Sequence, residues 1–141
     1  MPAGGPVATH EGSASTIAAS GRAYLFAMRR WSDFSGRSGL PELWWFIALY
    51  AAIYLTAFIL DAAASVLFAR FRGFRIAVML IHAVPNLALM ARRLHDIDRR
   101  GWFMVWPLVA VKALYVRGTP GPNRFGPEPG PVPGDGAGRV G

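Results

Sequence analysis

The chain has 141 residues, 53% of them hydrophobic, a mean hydropathy of +0.31, and a net charge of +7 carried by fourteen Arg and one Lys against eight acidic residues. That composition excludes a disordered chain, and the absence of cysteine excludes disulfides, thiolate metal sites, c-type haem attachment and a cysteine nucleophile. So basic a balance suits nucleic acid or an anionic membrane surface, and the placement of the charges has to decide between them.

Residues 1–20 hold no Lys or Arg, so they lack the basic region that opens a secretory signal peptide. Their Gly, Ala, Ser and Pro content predicts a disordered leader. Residues 21–34, GRAYLFAMRRWSDF, mix Tyr24, Leu25, Phe26, Met28 and Trp31 with Arg22, Arg29 and Arg30. This pattern predicts a short amphipathic helix, either lying in the cytoplasmic interface or packed on the rest of the protein. From residue 43 to 60, LWWFIALYAAIYLTAFIL carries no charge, and eighteen residues make roughly 27 Å of helix, a membrane span. Pro41 and Glu42 suit its first turn, and the apolar character resumes after Asp61, so the helix can extend to about Ala69.

A second run, residues 76–91, is shorter and holds His82, Pro85 and Asn86; Arg75 and Arg92 at its two ends can snorkel and lengthen the effective span. The third, residues 102–116, is interrupted by Pro107 and Lys112. At about 22 Å it is short of a hydrocarbon core, so a span and an interfacial or re-entrant helix both remain open. The tail from residue 117 is too rich in Pro and Gly to propagate helix or strand.

Arginine counts bear on topology. Four precede the first span (Arg22, Arg29, Arg30, Arg37), three lie between the first two (Arg70, Arg72, Arg75), four follow the second (Arg92, Arg93, Arg99, Arg100) and three lie in the tail (Arg117, Arg124, Arg139). Three spans with the N-terminus cytoplasmic would put eight inside and six outside. Two spans keep the tail and Lys112 inside, giving twelve against three, and the charge rule favours that arrangement.

The stretch RRLHDIDRR, residues 92–100, admits four readings. As a stop-transfer border it marks the cytoplasmic side. As an anion site, Arg92, Arg93 and Arg99 grip a phospholipid phosphate, with Arg37 and Arg124 brought near and the tail pieces GTPG and NRFG acting as a structured lid. Helical spacing lets Asp96 pair with Arg92 and Arg100. As an enzyme, His95 would be a general base oriented by Asp96 or Glu42, but no serine elbow, zinc box, phosphate loop or nucleotide fingerprint accompanies it. Nucleic-acid binding is disfavoured because the basic residues flank apolar spans and no binding module is present. Within the membrane, Asp61, His82 and Asn86 are the costly residues: Asp61 ends the first span or packs on Arg75 or a neighbouring subunit, and His82 and Asn86 make interhelical hydrogen bonds. No ligand-spaced set of His and carboxylates predicts a metal, and no cofactor or catalytic residue is assigned.

Three ordered motifs, FSGRSGLPELWWF, ARRLHDIDRRGWF and RGTPGPNRFGPEP, together resemble the domain-of-unknown-function 805 family of small bacterial inner-membrane proteins, over residues 24–129. The matching positions are Phe34, Gly36, Arg37, Glu42 and Trp44, then Arg92, Arg93, Leu94, His95, Asp96 and Trp102, then Gly118, Thr119, Pro120, Gly121, Asn123, Arg124, Gly126 and Pro127. The chain departs from the family pattern at Leu40 and Arg100, and its third apolar segment is shorter than usual. The resemblance implies an inner-membrane location and no established activity.

The expected protein is therefore an all-α integral membrane protein: a disordered leader (1–20), a helical membrane domain (21–117) and a Pro/Gly-rich tail (118–141). The membrane domain holds two firm spans, a short third apolar helix and an N-terminal interfacial helix. Its expected role is non-enzymatic binding or scaffolding, with Arg37, Glu42, Arg92, Arg93, His95, Asp96, Arg99 and Arg124 as the lipid or interaction cluster. Its expected partners are membrane lipid and either a second copy or a larger membrane protein.

Overall fold

The computed structural model describes residues 11–68 and 72–131; residues 1–10 of the expected leader and 132–141 of the expected tail lie outside these. The described elements are α1 (Glu11–Arg29), α2 (Leu40–Leu67), α3 (Gly73–Asp96), a 3-10 turn (Gly101–Val105) and α4 (Pro107–Tyr115). Residues 11–20, placed by composition in the leader, lie within α1. A short helix gains most of its stability from a packed face, and here Ala23 and Ala27 are fully buried and anchor the last turns of α1.

Pro41 stands in the first turn of α2, where its missing N–H leaves no bond unmade, and Glu42 meets the positive end of the helix dipole. The 28 residues of α2 and 24 of α3 extend for about 42 Å and 36 Å, each longer than a hydrocarbon core of about 30 Å. Beyond the expected run, α3 continues through the charged residues 92–96. The two helices are antiparallel, joined at one end by Arg92 and Ser38 and at the other by Asp61 and Arg75.

Asp61 both terminates the apolar stretch and packs inward. Its carboxylate accepts from Arg75 Nε at 2.8 Å and from the backbone N–H groups of Phe74 (3.0 Å) and Arg75 (3.2 Å). The N-cap residue of α3, Arg72, provides no side-chain cap, so Asp61 caps α3 from across the bundle. We expect Asp61→Ala to speed hydrogen exchange of the Phe74 and Arg75 amides several-fold while leaving the opposite end of the bundle unchanged. Unaltered protection of those two amides would show that the cap is idle.

The core lies in the half of the bundle nearest Arg92, where Ala27, Leu43, Phe46 and Leu89 are buried among Tyr24, Met28, Ile47, Tyr50 and Leu114. Tyr24 stacks on Phe46 with ring centroids 5.5 Å apart, so α1 runs back along α2, packed on the bundle. His82 is buried within this aromatic group, 4.9 Å from Tyr50 between ring centroids. Its Nδ1 lies 2.7 Å from the Val78 carbonyl, which can only accept, so Nδ1 carries a proton. In the neutral ring Nε2 then accepts from the Tyr24 hydroxyl at 2.7 Å, the interhelical bond expected of His82. Asn86, one turn further along α3, is half-buried.

The rest of α2 and α3 is bare. Less than a third of the most apolar window of either helix is buried, and Leu55, Ile59, Val66, Leu67, Leu80 and Ile81 are all more than half exposed. A water-soluble chain does not leave so continuous an apolar flank uncovered; both helices are long and apolar enough to cross a membrane.

The third apolar segment behaves differently. Pro107 divides it into the 3-10 turn and the nine-residue α4, about 13 Å long. The chain leaves α3 at Asp96 and returns to the same residue, where Thr119 N donates to the Asp96 carbonyl at 2.8 Å. Residues 97–118 therefore form a hairpin with both feet at one end of the bundle.

Candidate functional site

The charged stretch ends α3 by a backbone device. Arg99 N bonds to the Leu94 carbonyl at 2.8 Å and Asp98 N to the His95 carbonyl at 3.0 Å, with Asp98 at φ 57°. This is a Schellman turn in which aspartate occupies the left-handed position that usually takes glycine. Arg124 braces it from the tail, pairing with the Asp98 carboxylate at 3.0 Å and donating to its carbonyl at 2.7 Å.

One turn inward, two buried arginine sites organise the end of the bundle, which we call the collar. In the first, Asp96 holds two guanidinium groups. Arg37 directs Nε and Nη2 to Oδ1 at 3.0 and 2.8 Å, and Arg93 directs Nη1 to Oδ2. The arginines also satisfy backbone: Arg37 donates to the carbonyls of Thr119 and Gly121, both at 2.6 Å, and Arg93 to those of Ala113 (2.8 Å) and Val116. In the second, Arg92 faces the other way, donating Nε to Ser38 Oγ at 3.0 Å and Nη1 to the carbonyls of Arg30 and Asp33. Its Nη2 stands 3.5 Å from Glu42 Oε1, and neither of these buried atoms has a hydrogen-bond partner. The pairs expected from helical spacing, Asp96 with Arg92 and with Arg100, do not form. Arg93, three positions before Asp96, and Arg37, from the loop before α2, fill its two oxygens.

The tail is a lid. Asn123 Nδ2 donates to the His95 carbonyl at 2.9 Å and to Thr119 Oγ1 at 3.0 Å, and an isolated bridge between Asn123 and Gly126 closes a tight turn. Phe125 stacks on the His95 ring at 4.0 Å and 4°, with the Arg124 guanidinium over its ring at 4.8 Å. Gly118 allows the closest approach, since a Cβ there would collide with the Asp96 carboxylate. Gly121 and Gly126 adopt φ of 68° and 131°, conformations open to glycine.

His95 Nδ1 contacts the Gly36 carbonyl at 3.0 Å, and the Asp96 oxygens are occupied by arginines, so no His95–Asp96 dyad exists. Glu42 is likewise turned to Arg92. A groove of about 620 Å³ opens beside His95, lined by residues 32–36, Arg124 and Phe125. At its rim Asp33 titrates at about 2, held down by the Ser35 hydroxyl first and by Arg30. Among the described residues no group of three or more His or acidic side chains is placed to hold a metal ion.

Of the expected cluster, Arg37, Glu42, Arg92, Arg93 and Asp96 are buried and His95 is half-buried. Arg99 and Arg124 are exposed, Arg99 with its guanidinium over the Phe103 ring. The sequence reading missed Ser38, a small polar residue in a turn-rich stretch whose partner, Arg92, lies 54 positions away; Asn123 was singled out by the motif, but its bond to the His95 carbonyl was not.

A family model described as "Protein of unknown function (DUF805)" matches residues 31–127, which includes every collar residue named above except Arg30. The chain is 31% identical over 115 residues to Inner membrane protein YhaH of Escherichia coli K12, covering 75% of this chain and 94% of the relative. It is 32% identical over 114 residues to Inner membrane protein YhaI of the same organism, covering 75% and 93%. No solved structure matches. Two apolar helices bare along most of their length, and a match that spans the collar from the loop before α2 to the lid, lead to one assignment: the chain belongs to the DUF805 family, whose matched relatives are inner membrane proteins.

Proposed function

We propose that this protein is a non-enzymatic inner-membrane scaffold that crosses the bilayer twice, with its collar on the cytoplasmic face and an exposed arginine rim that holds anionic lipid headgroups. The observation that carries the reading is the division of the charged stretch. Arg92 and Arg93 are fully buried and committed to internal partners, whereas Arg99 and Arg100 are exposed next to Trp102, itself 56% exposed. Buried arginines organise the collar and exposed ones meet phosphate, whose oxygens suit the guanidinium fork. Among the described residues Arg29, Arg30, Arg37, Arg92, Arg93, Arg99, Arg100, Arg117 and Arg124 lie at the collar end, against Arg72 and Arg75 at the other and Arg22 part-way along α1, which supports a cytoplasmic collar. The bare flanks of α2 and α3 leave room for a second copy or a larger membrane protein, and the scaffold reading includes that association.

Native mass spectrometry of the protein released from lipid discs tests both parts. Arg99→Gln/Arg100→Gln is expected to lower retention of anionic lipid about thirtyfold, two surface charges contributing about 1 kcal/mol each, with zwitterionic lipid unaffected. Equal retention by parent and variant would remove the headgroup site. A chain that is monomeric both in lipid and in mild detergent would count against association.

A further inference from the structure

We infer that the hairpin formed by the 3-10 turn and α4 is a wedge immersed in the acyl chains of the one leaflet that borders the collar. Its large apolar side chains point away from the bundle: Val105, Trp106, Leu108, Val111 and Tyr115 are between 52% and 80% exposed. Exposure alone does not identify what covers them; the backbone does. A helix end in water leaves its last carbonyls to solvent, but in hydrocarbon each needs an internal donor. At the end of α4 three such donors are present and come from other helices: Arg93 Nε and Nη2 serve the carbonyls of Ala113 and Val116, and Trp44 Nε1 serves Leu114 at 3.1 Å. At the start of α4 three of the first four positions are closed as well. Pro107 has no N–H to satisfy, and the N–H groups of Val109 and Ala110 both bond to the Trp106 carbonyl at 3.0 Å.

A nine-residue helix cannot cross, and its two feet share Asp96, so the immersed depth is that of one leaflet. Lys112 is exposed on α4, and its four-carbon stem lets the ammonium reach back to the headgroups. Gly101 fits the hairpin closely to α3, since a Cβ there would stand 2.9 Å from the Ala91 Cβ. The wedge expands one leaflet and not the other.

The inference rests on α2 and α3 spanning a membrane and not on the headgroup rim, so unchanged lipid retention in Arg99→Gln/Arg100→Gln leaves it standing. Because the chain has no cysteine, single substitutions Leu108→Cys and Val111→Cys can carry an environment-sensitive fluorophore in proteoliposomes, with Leu80→Cys on the bare face of α3 as the deep reference. At both hairpin positions a nitroxide near the headgroup end of the acyl chain is expected to quench about twofold more than one at the methyl end, with the order reversed at residue 80. In parallel, a membrane-impermeant maleimide is expected to label Ser35→Cys and Pro122→Cys from the same side of the vesicle. Strong quenching by the deep nitroxide at residues 108 and 111, or labelling of 35 and 122 from opposite sides, would make the segment a span and overturn the wedge. Quenching by aqueous iodide would place it in water, and insensitivity to every quencher would mean that a second copy or another protein covers it; both outcomes overturn it too.

Discussion

Asp96→Ala is expected to destabilise the folded protein by about 3–5 kcal/mol, the cost of leaving buried charge without its partner. Two guanidinium groups depend on this carboxylate, and the side chains of the Arg37–Asp96 pair are only 1% and 4% exposed. Without Asp96, Arg37 and Arg93 keep their carbonyl partners but repel each other across a site that water does not reach. The loss should spread outward, since Arg37 holds the lid through Thr119 and Gly121 and Arg93 holds α4 through Ala113 and Val116. Unfolding in mixed micelles, with Arg99→Gln as a surface control shifted by no more than about 0.5 kcal/mol, reads the difference. A loss for Asp96→Ala under about 1 kcal/mol would mean that the triad is hydrated and not a buried anchor.

Arg92 separates charge from geometry. Arg92→Ala leaves Glu42 buried and unpaired and frees the carbonyls of Arg30 and Asp33, so a loss of about 3–5 kcal/mol is again expected. Arg92→Lys is the sharper probe. It retains the positive charge facing Glu42 but cannot reach Ser38 and two loop carbonyls at once, and should cost about 2 kcal/mol through the bonds it fails to make. Hydrogen exchange at Ser38, whose N–H donates to the Arg92 carbonyl at 3.1 Å, follows the loop locally. If the lysine variant matches the parent in stability, charge is what matters at this position and the guanidinium fork is dispensable.

Much of the fold is legible in the sequence because hydrocarbon acts on each residue separately. Eighteen uncharged residues from 43 to 60 specify a helix long enough to cross, and no partner is needed to read that. The order of the three motifs likewise points to the family that the matches establish. Helix termini show where such reasoning weakens. Pro41 and Glu42 announce the start of α2 locally, but Asp98 stands where glycine would signal the end of α3.

Only the tertiary structure decided what the charges do. Local spacing offers Asp96 the neighbours Arg92 and Arg100, but its oxygens go to Arg93 and to Arg37, 59 positions away. A buried charge has to find the donors and acceptors that close its whole shell, and those lie wherever the packed chain brings them. For the same reason the Pro/Gly-rich tail is a lid through residue 129, anchored by Gly118 and Asn123 against the end of α3. Composition determined that this chain suits a membrane; the folding of three distant segments onto one end determined which arginines are structure and which face outward.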